Sequence, residues 1–112
     1  MLIYKIFRTA EWQAFRAAGE TAGAPVDLSD GYIHFSTAEQ AKETAAKHFA
    51  GEDVLVLAAV NSDTLGAKLR WEPSRGGQLF PHLYRKLDLR EVLWHRPLPP
   101  GPDGHEFPAE MA

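Results

Sequence analysis

The sequence contains no cysteine, no long apolar run and no block of basic residues. Without cysteine the chain has no disulfide, no thiolate metal site and no cysteine nucleophile. No apolar run approaches the roughly 20 residues that cross a bilayer as a helix. The N-terminus also lacks the charged start and apolar stretch of a signal peptide. We therefore expect a cytoplasmic protein without a membrane partner.

The charge pattern argues against a nucleic-acid partner of the DNA-binding type. The net charge is −3, and both signs are interspersed along the 112 residues. Binding to a phosphate backbone requires a positive face, which this composition does not provide. Apolar residues make up 45% and charged residues 24% of the chain, which indicates one ordinary globular domain. Oligomeric state cannot be deduced from these values.

Periodicity and cap residues predict the order β-α-β-α-β-β-β-β. The predicted strands are 2–7, 32–35, 54–60, 69–72, 78–84 and 92–96. The two early helices begin at Thr9 and at a capping box, either Ser36–Glu39 or Thr37–Gln40. Residues 21–30 are predicted to be a loop, Asp88–Glu91 a single capped turn, and Pro81 indicates an edge strand or a bulge. Helices early and strands late predict an α+β fold with largely antiparallel strands.

The C-terminal segment is predicted to lie outside this domain. Residues 97–112 include five prolines and two glycines, a composition typical of linkers and mobile termini. We expect the domain to span residues 1–97 and residues 98–112 to form a draped or disordered tail.

The first segment with a chemical signal is residues 31–37. On the predicted strand, Ile33 and Phe35 point to one face and His34 to the other. Ser36 and Thr37 follow at a helix start, where free N–H groups can receive a phosphate. His34 is a candidate acid or base near neutral pH. The alternative is that Ser36 only caps the helix and His34 is structural.

The second segment is residues 70–84, where charged, hydroxyl and aromatic residues flank two glycines. In a regular strand, Phe80, His82 and Tyr84 share one face, which would suit a planar ring ligand. The alternative is an exposed strand with a salt bridge between Glu72 and Arg75. A zinc site at His34 and His82 has no supporting ligand spacing, and neither glycine-rich phosphate-loop motif is present.

Both segments resemble a known family, the bacterial domain of unknown function 952. The matching stretches are DGYIHFSTAEQ at 30–40, RWEPSRGG at 70–77 and LFPHLY at 79–84. The resemblance extends to about Pro97. It implies a fold similar to the ADP-ribosyltransferases, with two facing antiparallel sheets, and it implies no activity.

The resemblance to ADP-ribosyltransferases suggests roles for individual residues. His34 matches the strand histidine that holds a ribose, and Tyr84 or His82 matches the residue that packs the nicotinamide. The expected glutamate is either Glu72 or Glu91. The related RNA 2′-phosphotransferases use Arg and His against phosphate, which Arg70, Arg75, His34 and His82 could imitate.

We therefore predict one pocket that binds NAD or an ADP-ribose-type nucleotide, with ADP-ribosyl or 2′-phosphate transfer as its reaction. The predicted catalytic residues are His34, Glu72 and His82. The predicted binding residues are Ser36, Thr37, Arg75, Phe80 and Tyr84. No cofactor is assigned, and NAD is a candidate substrate or ligand. The alternatives are a non-catalytic module that binds a small anion or a protein in the same groove, and a structural domain without a pocket.

Overall fold

A computed structural model describes residues 1–111 of the chain. The α-helices are Thr9–Ala18 (α1), Pro25–Asp30 (α2) and Ala38–His48 (α3). The strands are Leu2–Arg8 (β1), Glu20–Thr21 (β2), Ile33–His34 (β3), Leu55–Asn61 (β4), Leu69–Pro73 (β5), Leu79–Leu83 (β6), Leu87–Asp88 (β7), Val92–Leu98 (β8), Pro100–Gly101 (β9) and Gly104–His105 (β10). Within residues 1–111, no helix has the length and apolar character needed to cross a bilayer.

Two three-stranded antiparallel sheets form the framework. The first has the strand order β1-β4-β8 and the second β3-β6-β5. They are joined where Tyr4 of β1 and Ser36, just after β3, exchange two backbone hydrogen bonds of 2.8 Å. The strand pairs of both sheets are antiparallel, so the predicted α+β class is confirmed. Within residues 1–111 there are three α-helices, whereas the sequence predicted two helices.

Strand β4 is the centre of the first sheet and separates two hydrophobic clusters. Leu57, Ala58, Ala59 and Val60 are fully buried, because α1 and the second sheet cover one face and α3 covers the other. The predicted strand 54–60, an unbroken apolar run in the sequence, is therefore buried on both faces for most of its length. Its start was misplaced, since Val54 lies before the strand and is 38% exposed.

The N-terminus of α3 settles which of the two predicted capping boxes forms. The Gln40 backbone N–H donates to the Thr37 hydroxyl at 3.3 Å, and the Thr37 N–H donates to Gln40 Oε1 at 3.0 Å. Thr37 is therefore the N-cap residue. The Ser36 hydroxyl is free of this role and lies 3.1 Å from the Thr44 hydroxyl.

The loop predicted for residues 21–30 contains a helix, α2, so that prediction was wrong. Pro25 is the first helical residue, and Gly31 ends the helix with φ of +87°, a conformation that favours glycine. Both are recognised terminus signals. The helix was missed because it has six residues and no apolar stripe, and Val26 and Leu28 are more than half exposed.

The prediction of an edge strand or bulge at Pro81 was also wrong, because β6 is the central strand of the second sheet. Proline is tolerated there because β3 is only two residues long and pairs with His82 and Leu83. Beyond β3, the Pro81 carbonyl still accepts a hydrogen bond of 3.0 Å from the Phe35 N–H. Pro81 has no N–H to donate, but β3 has already ended at this position, so no hydrogen bond within β3 depends on that N–H.

The C-terminal segment, predicted to be a draped or disordered tail, lies against the domain in the structure. Leu98 is fully buried, and β9 and β10 form a small antiparallel hairpin beyond it. Phe107 and Met111 then pack against the hydrophobic cluster beneath α3. The packing of Phe107 and Met111 was not predicted, because the many prolines of this segment indicated a linker.

Candidate functional site

The pairing of β3 with β6 brings the two predicted segments together. His34 lies directly opposite His82, and their ring centroids are 5.3 Å apart with an interplanar angle of 67°. On the other side of β6, His82 is paired with Arg70 of β5. Opposed residues of an antiparallel pair project to the same face of a sheet, so one face of the second sheet carries both imidazoles.

A buried carboxylate holds the first histidine. Asp27 Oδ1 accepts a hydrogen bond from the His34 backbone N–H at 3.1 Å and contacts His34 Nδ1 at 2.5 Å. Its Oδ2 accepts from Lys5 Nζ at 2.8 Å and from the Ala24 N–H at 2.7 Å. Burial is the largest influence and raises the pKa of Asp27. The His34 hydrogen bond, the Lys5 charge and the hydrogen bonds from Lys5 and Ala24 act in the opposite direction, and the net result is a pKa of about 2.

A second carboxylate contacts the other ring nitrogen of His34. Asp30, the last residue of α2, places Oδ2 at 3.0 Å from His34 Nε2. The side chains of His34 and Asp30 are 31% and 43% exposed, whereas that of Asp27 is fully buried. The imidazole therefore lies between the buried carboxylate of Asp27 and the partly exposed carboxylate of Asp30.

The second histidine also has a carboxylate partner. His82 Nδ1 lies 2.8 Å from Glu72 Oε1, and the same oxygen accepts a hydrogen bond of 2.7 Å from the Tyr84 hydroxyl. These hydrogen bonds, Tyr84 first and His82 second, lower the pKa of Glu72. The His82 ring is 2% exposed, and its Nε2 has no hydrogen-bond partner within residues 1–111.

The structure also separates the two candidate glutamates. Glu91 forms hydrogen bonds of 2.9 and 2.8 Å with Arg85 and accepts another from the Asp88 N–H. It belongs to the capped turn predicted at Asp88–Glu91, which is present. Of the two glutamates, therefore, Glu72 is the one that contacts the histidine pair.

An aromatic residue that the sequence analysis did not select lies over both imidazoles. The Tyr32 ring centroid is 4.6 Å from that of His34, 4.1 Å from that of His82 and 5.1 Å from that of Tyr84. Arg70 is stacked over the Tyr84 ring at 5.1 Å. Tyr32 therefore packs the histidine pair from one side.

An arginine with hydroxyl and imidazole partners lies on the other side of the site. Arg75 Nη2 donates to the Thr44 hydroxyl at 3.1 Å, and Thr44 in turn contacts Ser36. Arg75 Nη1 lies 3.4 Å from His48 Nε2. Burial, followed by the Arg75 charge, lowers the pKa of His48. The guanidinium is also stacked over the Phe80 ring at 5.0 Å.

These groups border one cleft of about 960 Å³, within the size range of small-molecule sites. We call it the histidine cleft. Its polar and charged lining residues are Lys5, Arg8, Glu11, Asp30, His34, Ser36, Thr44, His48, Ser74, Arg75 and His82. Its aromatic lining residues are Tyr4, Phe35, Phe49 and Phe80. Within residues 1–111, no cluster of three or more His, Asp or Glu side chains could hold a metal ion.

Five of the eight predicted site residues line the histidine cleft, namely His34, Ser36, Arg75, Phe80 and His82. Glu72 and Tyr84 do not line the cleft. Glu72 contacts His82, which does line it, and Tyr84 donates a hydrogen bond to Glu72. Thr37 is absent from the lining and caps α3 instead. Four further residues at or beside the cleft were not predicted as site residues, namely Lys5, Asp27, Thr44 and His48. Only two of them had a signal in the sequence. Lys5 is a charged residue within an apolar strand, and Asp27 follows Pro25 by two residues, in the first turn of a helix.

The two glycines of the second segment form the turn between β5 and β6. Gly76 and Gly77 have φ of +68° and +76°, and a Cβ added to either would contact nothing within 4 Å. Their backbone conformation, rather than a close neighbour in the protein, therefore accounts for glycine at both positions.

The chain is similar to a family of unknown function and to solved structures of one bacterial protein. The model of a family described as a protein of unknown function, DUF952, matches residues 6–95. The crystal structure of protein CC0527 from Caulobacter crescentus is 53% identical, with a TM-score of 0.90 over 94% of this chain and 92% of that one. The solution structure of CC0527 is 54% identical, with a TM-score of 0.83 over 93% and 90%. No curated protein matches the sequence.

Proposed function

Because the chain belongs to the DUF952 family of proteins of unknown function, we propose a function from its cleft: it binds a phosphorylated, nucleotide-type small molecule of the NAD or ADP-ribose class. One observation carries this proposal. Two histidines, each with Nδ1 against a carboxylate, line the same cleft as an arginine with hydroxyl partners. The finer expectation, a fold like that of the ADP-ribosyltransferases, is a proposal that rests on the family resemblance.

The charges of the cleft favour an anionic ligand. Lys5 is neutralised by Asp27, and Arg8 pairs with Glu52 at 2.8 Å. Arg75 is different, because its contact with Glu43, at 3.3 Å, involves a carboxylate that is 53% exposed. A guanidinium beside hydroxyl groups suits a phosphate, since it can donate two parallel hydrogen bonds to the phosphate oxygens.

The apolar part of the cleft favours a ligand that also carries a planar ring. Phe80 is 7% exposed and borders the cleft beside the Arg75 guanidinium. Tyr4 and Phe49 add aromatic surface to the same lining. Aromatic walls combined with a few polar groups are typical of nucleotide-sized sites. The base or nicotinamide would lie against this wall and the phosphate near Arg75, rather than the ring against Tyr84 as the sequence suggested.

Between the two transfer reactions, the residues favour phosphate chemistry. ADP-ribosyl transfer would require a glutamate against the ribose, but Glu72 faces His82 and Tyr84 and does not line the cleft. His34 is held by Asp27, as an acid–base histidine should be. In a transfer from a nucleotide 2′-phosphate, a hydroxyl of a second molecule would form the new bond to phosphorus as the bond to the ribose oxygen breaks. His34 would protonate the departing ribose oxygen, and the attacking hydroxyl would release its proton to water.

A second candidate function is a binding module without catalysis. The observation that favours it is the contact between His34 Nε2 and Asp30, because both ring nitrogens are then engaged by carboxylates. With a carboxylate against each ring nitrogen, His34 has no nitrogen left to contact a reacting group. In this case the ligand would be held by the same residues and released unchanged.

Calorimetric titration with NAD, ADP-ribose and an RNA 2′-phosphate analogue at millimolar concentration tests the proposal. We expect binding of at least one of them, and a loss of about 1–3 kcal/mol in His34→Ala, the usual cost of removing a buried polar contact. His95→Ala is the matched control, since His95 is exposed and does not line the cleft. Product formation during overnight incubation would separate an enzyme from a binding module. Absence of heat with all three compounds would contradict the proposal.

A further inference from the structure

The two carboxylates on His34 differ in how firmly they are held. Asp27 is fully buried and is also bound by Lys5 and by the Ala24 N–H. Asp30 is 43% exposed, lies at the C-terminal end of α2 and lines the histidine cleft. Its carboxylate can therefore exchange its contact with His34 for contact with water at little cost, whereas that of Asp27 cannot.

The chemistry of the contact indicates what else His34 Nε2 can bind. Asp30 Oδ2 lies 3.0 Å from Nε2, and an ionised carboxylate oxygen can accept a hydrogen bond but cannot donate one. The geometry therefore places an oxyanion against a ring nitrogen at the cleft surface. Any ligand group that takes this position must itself be an acceptor with negative charge, such as a phosphate or a carboxylate.

We propose that His34 Nε2 is the oxyanion-binding position of the histidine cleft, and that Asp30 occupies this position until the ligand's phosphate or carboxylate displaces it. Asp30 is therefore a specificity-determining residue, because a ligand without an oxyanion cannot replace its contact. This inference rests on the proposed function, since it names the group of the ligand that contacts His34.

The arrangement around His34 supports displacement of Asp30 rather than movement of the histidine. Asp27 contacts both the backbone N–H and Nδ1 of His34, and Tyr32 packs against the ring at 4.6 Å. The imidazole is therefore fixed from below and from one side. The ligand oxyanion would gain the attraction of Arg75, which lines the same cleft. Asp30, a like charge at the mouth, opposes any anion that approaches.

The variant Asp30→Asn tests the inference directly. It removes the negative charge while preserving the size of the side chain. We expect ADP-ribose to bind about fivefold or more tightly to this variant than to the wild-type protein, as expected for the loss of a like charge a few ångströms from the ligand anion. Inorganic phosphate, titrated separately, should show the same direction if the oxyanion alone is recognised. Uncharged adenosine should show no gain.

Asp63→Asn is the matched control. It makes the same change in net charge at a side chain that is 81% exposed and does not line the histidine cleft, so it should leave the affinity unchanged. Equal or weaker ADP-ribose binding by Asp30→Asn would overturn the inference while leaving the proposed function intact, as would equal tightening by Asp63→Asn. Failure of all three proteins to bind ADP-ribose or phosphate would overturn the proposed function itself, and the inference with it.

Discussion

Replacement of Asp27 by asparagine should be among the most destabilising single changes in this protein. The side chain keeps its shape and an oxygen that can face His34, but it loses its charge. A pKa of about 2, against the ordinary value of 3.8, means that ionised Asp27 contributes about 2 kcal/mol of stability at neutral pH. The variant loses this contribution.

Lys5 adds to the cost, because its ammonium is buried and its partner in the ion pair is Asp27 at 2.8 Å. Removing one member of a buried pair leaves an uncompensated charge and typically costs about 3–5 kcal/mol. We expect a loss of that size for Asp27→Asn. The double variant with Lys5→Met should recover part of it, because no buried charge then remains.

Urea denaturation followed by circular dichroism measures this loss. Asp63→Asn serves as the control, since exposed ion pairs contribute about 1 kcal/mol or less. The folded-state pKa of Asp27 is depressed, so its contribution is complete above the unfolded pKa near 3.8 and disappears as the pH falls through about 2. The difference between wild type and Asp27→Asn should narrow over the same window. A variant within about 0.5 kcal/mol of wild type at pH 7 would refute the reasoning.

Two further pairs of variants distinguish effects on ligand binding from effects on stability. Glu72→Gln should weaken nucleotide binding, because His82 loses its charged partner, whereas Glu91→Gln should lower the midpoint of urea denaturation and leave binding unchanged. Calorimetry and denaturation of both variants would test this, and equal effects on binding would contradict it. Phe107→Ala should cost about 2 kcal/mol of stability by opening the cluster beneath α3. Leu93→Ala, at a residue that is 57% exposed, should be nearly neutral.

The residues that sequence analysis placed correctly are those whose signals are local. Alternation of side chains put His34 on the face opposite Ile33 and Phe35, and in the structure the two apolar residues are buried while His34 lines the cleft. The seven-residue apolar run similarly identified the central strand β4. Both inferences needed only the pleat of a strand and the length of an apolar segment.

The residues that were missed acquire their roles through tertiary contacts. Lys5 lies in the predicted strand 2–7, where no role was predicted for it, and Asp27 lies in residues 21–30, which were predicted to be a loop. Their contact joins residues that are 22 positions apart, and no local pattern encodes that distance. Thr44 and His48 lay on a helix whose direction relative to Arg75 depends on the loop between β5 and β6. Long-range register is set by packing, which a single sequence does not display.

The proposed function requires that a nucleotide-type ligand bind in the histidine cleft. The same chain has a second cleft of nearly equal size, about 940 Å³, between α3 and the C-terminal hairpin. Titration of isotope-labelled protein with ADP-ribose, followed by amide chemical shifts, distinguishes the two. We expect saturable shifts centred on His34, Thr44, Arg75 and His82. Shifts confined to residues 100–105 and the facing side of α3, or no saturable shift at all, would contradict it.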